Sequence, residues 1–300
     1  MLRATTIEDR KLIFDYVKNA DLRFIMLSVL FGILSHLSRA YRWKFMLAPL
    51  GYKPRFVNTI LAVLIAYIAN LGIPRSGEIL RATTLSSYEK IPFEKSFGTI
   101  IAERLVDLIF LLSFIFLALI LQYDLIWQVL KEKQISLSTI IAAAVIAITT
   151  FICLKFLFEK NHSKPINRIK TFLKGLGEGI LSFKSMTNKG AFLLHTVFIW
   201  IMYVAMFYVI KWTVPEVENL GLSALLPAFV IGGLTISATN GGIGIYPFAV
   251  ALMLSAFGIS NESGLAFGWI VWTSQTLMII LFGSLSFFVL PLVNHKKNNL

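Results

Sequence analysis

The chain is short of what a soluble domain relies on. Charged residues fill only 15% of its 300 positions, where a soluble domain carries about 25%. Cysteine occurs once, at Cys153, which excludes an internal disulfide and a cysteine-based metal site. The four histidines are scattered without metal-ligand spacing. No glycine-rich run is followed by the lysine that a nucleotide-binding loop needs. No signal peptide is read in residues 1–21, which alternate charged and apolar positions; a surface helix is expected there instead.

What is present is apolar. Hydrophobic residues make up 57% of the chain, phenylalanine alone contributes 25 positions, and mean hydropathy is +0.75. Several runs reach the roughly 18 residues that a bilayer core demands, and none shows the alternation of a barrel strand. The expectation is an all-α, polytopic helical membrane protein, a single membrane domain over residues 1–300. Net charge is +12. In such a chain this reads as basic loops on the cytoplasmic side facing anionic headgroups, not as nucleic-acid binding. The expected setting is therefore the inner (cytoplasmic) membrane, with anionic membrane lipids as partners and no cofactor.

Leu22–Ser38 is the first apolar segment. Arg39, Arg42, Lys44, Lys53 and Arg55 follow without an acid between 39 and 55, which places that stretch in the cytoplasm and the N-terminus outside. Phe56–Ile73 is apolar and breaks at Gly72 and Pro74. The piece after it, Glu78–Tyr88, is too short and polar to span alone, so a re-entrant helical hairpin is expected, broken at Leu71–Ser76. Phe97–Leu121 is a long helix with Glu103, Arg104 and Asp107 in its first half. Ser138–Phe158 spans again, and an amphipathic interfacial helix over 166–186 follows. Ala191–Ile210 spans, Leu222–Ala238 breaks at the run 239–244 (T-N-G-G-I-G), Ile245–Phe257 is a second short arm, and Leu265–Leu290 closes the bundle.

The two parts share an order: span, broken hairpin, polar link, span. Laid on each other, Pro74 falls on Gly242, Ile91 on Ile259, Glu94 on Glu262 and Phe97 on Leu265. The half-repeats run over about 22–121 and 191–290, and the odd span 138–158 between them inverts the second. This is a transporter plan, in which paired broken helices build a site near the midplane.

Charges at such depth are expensive and point to function. Arg75, Glu78 and Arg81 follow the first break. Glu103 and Asp107 share a helix face, and Arg104 sits about 100° around from Glu103. One reading is a polar cleft where Arg75, Arg81 or Arg104 takes a lipid phosphate and Glu103 and Asp107 hold the arginines or accept a proton. The other is that these groups pair merely to hold hairpin to helix. Asn70 and Asn240 sit at the two breaks, as caps for freed backbone or as substrate contacts. Gly241, Gly242 and Gly244 supply close backbone approach. Tyr246 and Gln275 are polar candidates for the cleft wall. Glu94 and Lys95 read as interfacial, Trp269 and Trp272 as packing or lipid-facing, and His36 and His195 as hydrogen-bonded structural groups.

R39-A-Y-R-W-K, N70-L-G-I-P-R-S-G-E-I-L-R, E103-R-L-V-D and N240-G-G-I-G-I-Y-P resemble the flippase-like membrane family related to the transmembrane region of lysylphosphatidylglycerol synthase, over residues 22–290. The resemblance implies an integral membrane protein that moves lipids between leaflets. It also implies a further hydrophobic segment ahead of the position of Leu22, after which this chain is expected to start. The synthase's aminoacyl-transfer domain is absent, so lipid aminoacylation is not carried over. Relatives place an arginine near Trp272, where this chain is aromatic. The leading expectation is a flippase of an anionic lipid, a phospholipid or a polyprenyl-phosphate-linked glycolipid, and not an enzyme. The alternatives are an intramembrane enzyme acting on lipid phosphates and a non-transporting partner in a lipid or cell-envelope biosynthesis complex. A homo-oligomer is compatible with any of these.

Overall fold

A computed structural model describes residues 7–123, 178 and 181–295. The expected span 138–158 and most of the expected amphipathic helix 166–186 lie outside the described residues. Among those described there is no strand. The helices are α1 (Ile7–Lys18), α2 (Leu22–Leu47), α3 (Phe56–Gly72), α4 (Ser76–Glu89), α5 (Phe93–Leu121), α6 (Lys189–Tyr208), α7 (Pro215–Glu218), α8 (Leu222–Ala238), α9 (Tyr246–Ser255) and α10 (Asn261–Asn294). Four stretches are long and apolar enough to cross a membrane: Leu22–Leu50, Phe93–Leu121, Lys189–Thr213 and Asn261–Asn294.

The distribution of polarity is that of a membrane protein. Along α5, Leu108, Ile109, Leu112 and Phe116 face outward, while Glu103 of the same helix is fully buried. Lipid replaces water outside, so the apolar atoms need no cover, and the charges must find partners inside. One expectation is corrected here. The first span does not stop at Ser38; α2 runs on to Leu47, and Arg39 and Arg42 lie buried inside the bundle, not in a loop. Only Lys44, Lys53 and Arg55 remain of the basic cluster read there.

The first hairpin forms as expected. Helix α3 ends at Gly72, Ile73–Arg75 turn the chain, and α4 starts at Ser76. With 17 and 14 residues, the arms measure about 25 Å and about 21 Å, both short of the roughly 30 Å hydrocarbon core. Their outer ends meet at one level. Arg55 and Asn58, where α3 begins, bond Glu89 at the end of α4, and both also bond Asn294 at the end of α10. The arms pack closely because residue 77 is glycine: a Cβ there would collide with the Ala66 carbonyl of α3.

The second hairpin, α8 and α9, turns through Thr239–Ile245. Gly241 and Gly242 hold positive φ of 62° and 80°, which favours glycine. Its base is tied as well: Glu216, just before α8, accepts bonds from the backbone and hydroxyl of Ser260, just after α9 (3.0 and 2.8 Å). Helix α10 begins beside Ser260 and ends at Asn294. The bases of the two hairpins therefore bond to opposite ends of α10, and their tips meet near its middle, where Asn240 Nδ2 approaches the Gly72 carbonyl at 3.4 Å. Those two positions are 168 residues apart, the offset that also separates the starts of α5 (Phe93) and α10 (Asn261).

Gly77→Val should lower the thermal unfolding midpoint in detergent, by the equivalent of about 1–3 kcal/mol of overpacking; an unchanged midpoint contradicts the close approach of α3 and α4. The Ser260 bonds hold the Glu216 carboxylate below the usual carboxylate range. A carboxylate with a depressed folded-state pKa stabilises the fold above its unfolded value, about 4.3, and loses that contribution as pH falls through the folded value. Hydrogen-exchange protection factors at the base of the second hairpin, corrected for the intrinsic pH dependence of exchange, should thus fall below about pH 4.3, and Glu216→Gln should remove that acid-side change.

Candidate functional site

The helix period sorts the charges into two groups. Arg39 and Arg42 sit one turn apart on α2 and point at Glu103 and Asp107, one turn apart on α5. Arg39 Nη1 lies 2.5 Å from Glu103 Oε1 and 2.7 Å from Asp107 Oδ2. Arg42 Nη1 donates to Asp107 Oδ1 at 2.9 Å and to Thr196 Oγ1 of α6 at 2.8 Å. From α4, Arg81 forks onto Glu103 with bonds of 3.2 and 2.9 Å, and its guanidinium stacks on Trp43, 3.8 Å from the ring centre. Trp43 is fixed in turn by an indole N–H bond to Thr99 Oγ1 at 2.8 Å. Arg39, Arg42, Arg81, Glu103 and Asp107 are all buried.

The second group is open. Between the hairpin tips, α6 and the middle of α10 lies a cavity of about 370 Å³. Its polar wall includes Asn70, Arg75, Glu78, Arg104, Thr239, Tyr246 and Gln275; Leu71, Ile236, Val271 and Ile279 give it apolar sides. Arg104, a third of a turn from Glu103, pairs with Glu78 at 3.2 Å and keeps 42% of its side chain exposed. Arg75 lies on the wall in the left-handed region, at φ 61°, and makes no ion pair among the described residues. A bulky residue there costs of order 1–3 kcal/mol. That strain places a guanidinium at the tip and lets the chain reverse into α4.

Of the residues expected at the site, the structure brings Asn70, Arg75, Glu78, Arg104, Gly241, Tyr246 and Gln275 to one cavity wall. It does not bring Arg81, Glu103 or Asp107 there; they form the sealed strut behind it. Asn240 and Gly242 are also off the wall. Asn70 caps the first break, accepting from Gly77 N at 2.8 Å. At the second break the cap is Thr239, whose hydroxyl accepts from Gly242 N at 3.0 Å, while Asn240 turns toward the other hairpin.

Three assignments change. Trp272 is not lipid-facing: it lines the cavity and its indole donates to the Gly241 carbonyl at 2.8 Å, holding the second tip. His36 is buried with neither ring nitrogen bonded among the described residues, against the Tyr67 ring at 4.2 Å. His195, by contrast, does share a hydrogen bond with Ser38. Arg39 and Arg42 were missed as site residues. Their three-residue spacing, matched to the Glu103–Asp107 pair, was the available signal.

The family model described as the lysylphosphatidylglycerol synthase TM region matches residues 10–283. A UPF0104 membrane protein of Methanocaldococcus jannaschii is 25% identical over 285 residues, covering 89% of this chain and 76% of that one. A UPF0104 membrane protein of Pyrococcus horikoshii is 32% identical over 145 residues, 45% of this chain and 42% of that one. No solved structure matches.

Glu103→Ala strips three buried guanidiniums of a shared partner, a loss of about 3–5 kcal/mol. Its unfolding midpoint in detergent should fall sharply, while Arg75→Ala, which removes no bond, should stay close to the parent. Equal midpoints for the two would contradict the division into sealed and open charge.

Proposed function

The chain belongs to the family of the lysylphosphatidylglycerol synthase transmembrane region, and from that premise we propose that it moves an anionic lipid between the leaflets of the inner membrane. The observation that carries this reading is Arg75: a guanidinium without an ion pair among the described residues, at the strained tip of a broken helix, on the wall of a cavity with apolar sides. The planar guanidinium fork matches phosphate oxygens. The neighbouring start of α4 adds the positive end of a helix dipole, although its first two N–H groups are already taken by Ile73 and Asn70. A headgroup would lie between Arg75 and Arg104, with its chains along the apolar wall of Leu71, Ile236 and Ile279.

The placement of the two hairpins supports an inverted-repeat transporter. Their bases bond opposite ends of α10 and their tips meet at its middle, so each face of the membrane owns one hairpin. The polar cavity then lies where a crossing headgroup needs shelter most, near the midplane, where a bare charge is costly. Energy would come from the lipid gradient or an ion gradient.

The reading is tested by reconstituting the purified chain into liposomes carrying a trace of fluorescent phosphatidylglycerol, with an impermeant quencher outside. Quenching should exceed half of the signal with the protein and stop near half without it. Arg75→Ala should slow the protein-dependent phase by about tenfold, the loss of one charge-assisted contact of about 1.4 kcal/mol or more. No protein-dependent phase for phosphatidylglycerol, phosphatidic acid or a polyprenyl phosphate sinks the proposal.

A further inference from the structure

The carboxylates at the site differ in how firmly they are held. Glu103 meets three guanidiniums, and Asp107 pairs with Arg39 and Arg42. Neither can give up its charge without stranding a buried arginine. Glu78 is different. Its Oε1 has a single ionic partner among the described residues, the half-exposed Arg104 at 3.2 Å. Its Oε2 is buried without a hydrogen-bond partner among the described residues. A side crevice of about 10 Å³ runs beside it, room for about one water molecule.

The charged and titratable groups facing Glu78 are few. From α5 come Arg104 and, behind it, Asp107, whose carboxylate lies 3.8 Å from Arg104. From α2 comes Arg39, committed to Glu103 and Asp107. From α3 comes Tyr67, hydrogen-bonded to Tyr203 of α6 at 2.9 Å. On its own hairpin stand Arg81, committed to Glu103, and Arg75, which has no ion pair among the described residues. Among those residues, every cation near Glu78 except Arg104 and Arg75 is already bound elsewhere.

We propose that Glu78 is the exchangeable counter-ion of Arg104, so that binding of an anionic headgroup takes up a proton at Glu78. This rests on the lipid-transport reading above. An incoming phosphate takes Arg104 away from Glu78. The carboxylate is then left without its cation and beside a second anion, with one oxygen buried and unbonded among the described residues, where the charged form is disfavoured. One proton passes from cavity water to a Glu78 oxygen, forming the O–H bond; hydroxide left behind is neutralised by bulk buffer. One negative charge enters and one is neutralised, so the charge of the site is conserved. On release the headgroup frees Arg104, which draws Glu78 back to its ionised form, and the proton leaves. A lipid and a proton thus share the cavity, and a proton gradient would drive net movement.

Isothermal calorimetry of the full chain in detergent, titrated with dihexanoylphosphatidylglycerol in two buffers of different ionisation enthalpy, counts the protons exchanged. The expected result is net uptake approaching one proton per lipid bound, with affinity rising up to about tenfold for each unit of pH lowered. Glu78→Gln, which keeps the shape and removes the competing charge, should bind more tightly at neutral pH, with no uptake and a flat pH profile. Binding by the parent chain without proton uptake overturns the exchange at Glu78 and leaves the transport reading standing. Undiminished uptake in Glu78→Gln overturns it too, by placing the proton elsewhere. No binding by the parent chain, together with no lipid movement in liposomes, overturns the transport reading and this inference with it.

Discussion

Everything at one end of the bundle depends on the carboxylate of Glu103. It is fully buried and receives Arg39, Arg42 and Arg81, from two different helices. An ion at such depth is tolerable only when its oxygens are filled by well-aligned donors. Here Arg81 supplies a two-bond fork, and Arg39 adds a third contact. Asp107 shares the load by taking Arg39 and Arg42, and Thr196 draws α6 into the same network. Lipid gives no hydrophobic force to press helices together. A polar knot joining α2, α4, α5 and α6 sets the register that core packing alone sets in water.

The same helix that supplies the knot also supplies the open site, and the geometry of one turn explains how. Glu103 and Asp107 lie on a common face; Arg104 is rotated about 100° from it and emerges on the cavity wall. Adjacent residues therefore serve opposite ends, one sealing charge inside the protein and the next presenting it to the cavity. Glu78 and Arg81 divide in the same way on α4. Arg81 reaches back to Glu103 while Glu78 meets Arg104. The cavity inherits its rigidity from the sealed partners behind it, while its own ion pair keeps only one contact to break.

Much of this was legible in sequence because it is local. Pro74 stops a helix for steric reasons, Gly72 weakens it through backbone freedom, and the glycines at 241 and 242 permit the positive φ that a chain reversal uses. The spacing of Glu103 and Asp107 places them together on any helix. What failed to show was set by distant partners. Charge begins at Arg39 and so suggests that the apolar segment ends at Ser38, yet Arg39 is buried by an acid 64 residues further on. That Thr239 and not Asn240 caps the second tip depends on how the turn closes, and two polar neighbours look alike in a string of letters. Trp272 found its role only because the second tip folds against α10.

The two tips occupy equivalent places but differ in chemistry, and the difference decides where the molecule can yield. Each hairpin is held at its base, the first by Arg55, Asn58, Glu89 and Asn294, the second by Glu216 and Ser260. Among the described residues the tips share one hydrogen bond, at 3.4 Å, at the weak end of hydrogen-bond geometry, and Leu71 of the first lies against Gly241 of the second. The first tip carries a strained arginine, and the second is mostly glycine backbone pinned by Trp272. A force that opens the space between them need not break either base or touch the sealed knot.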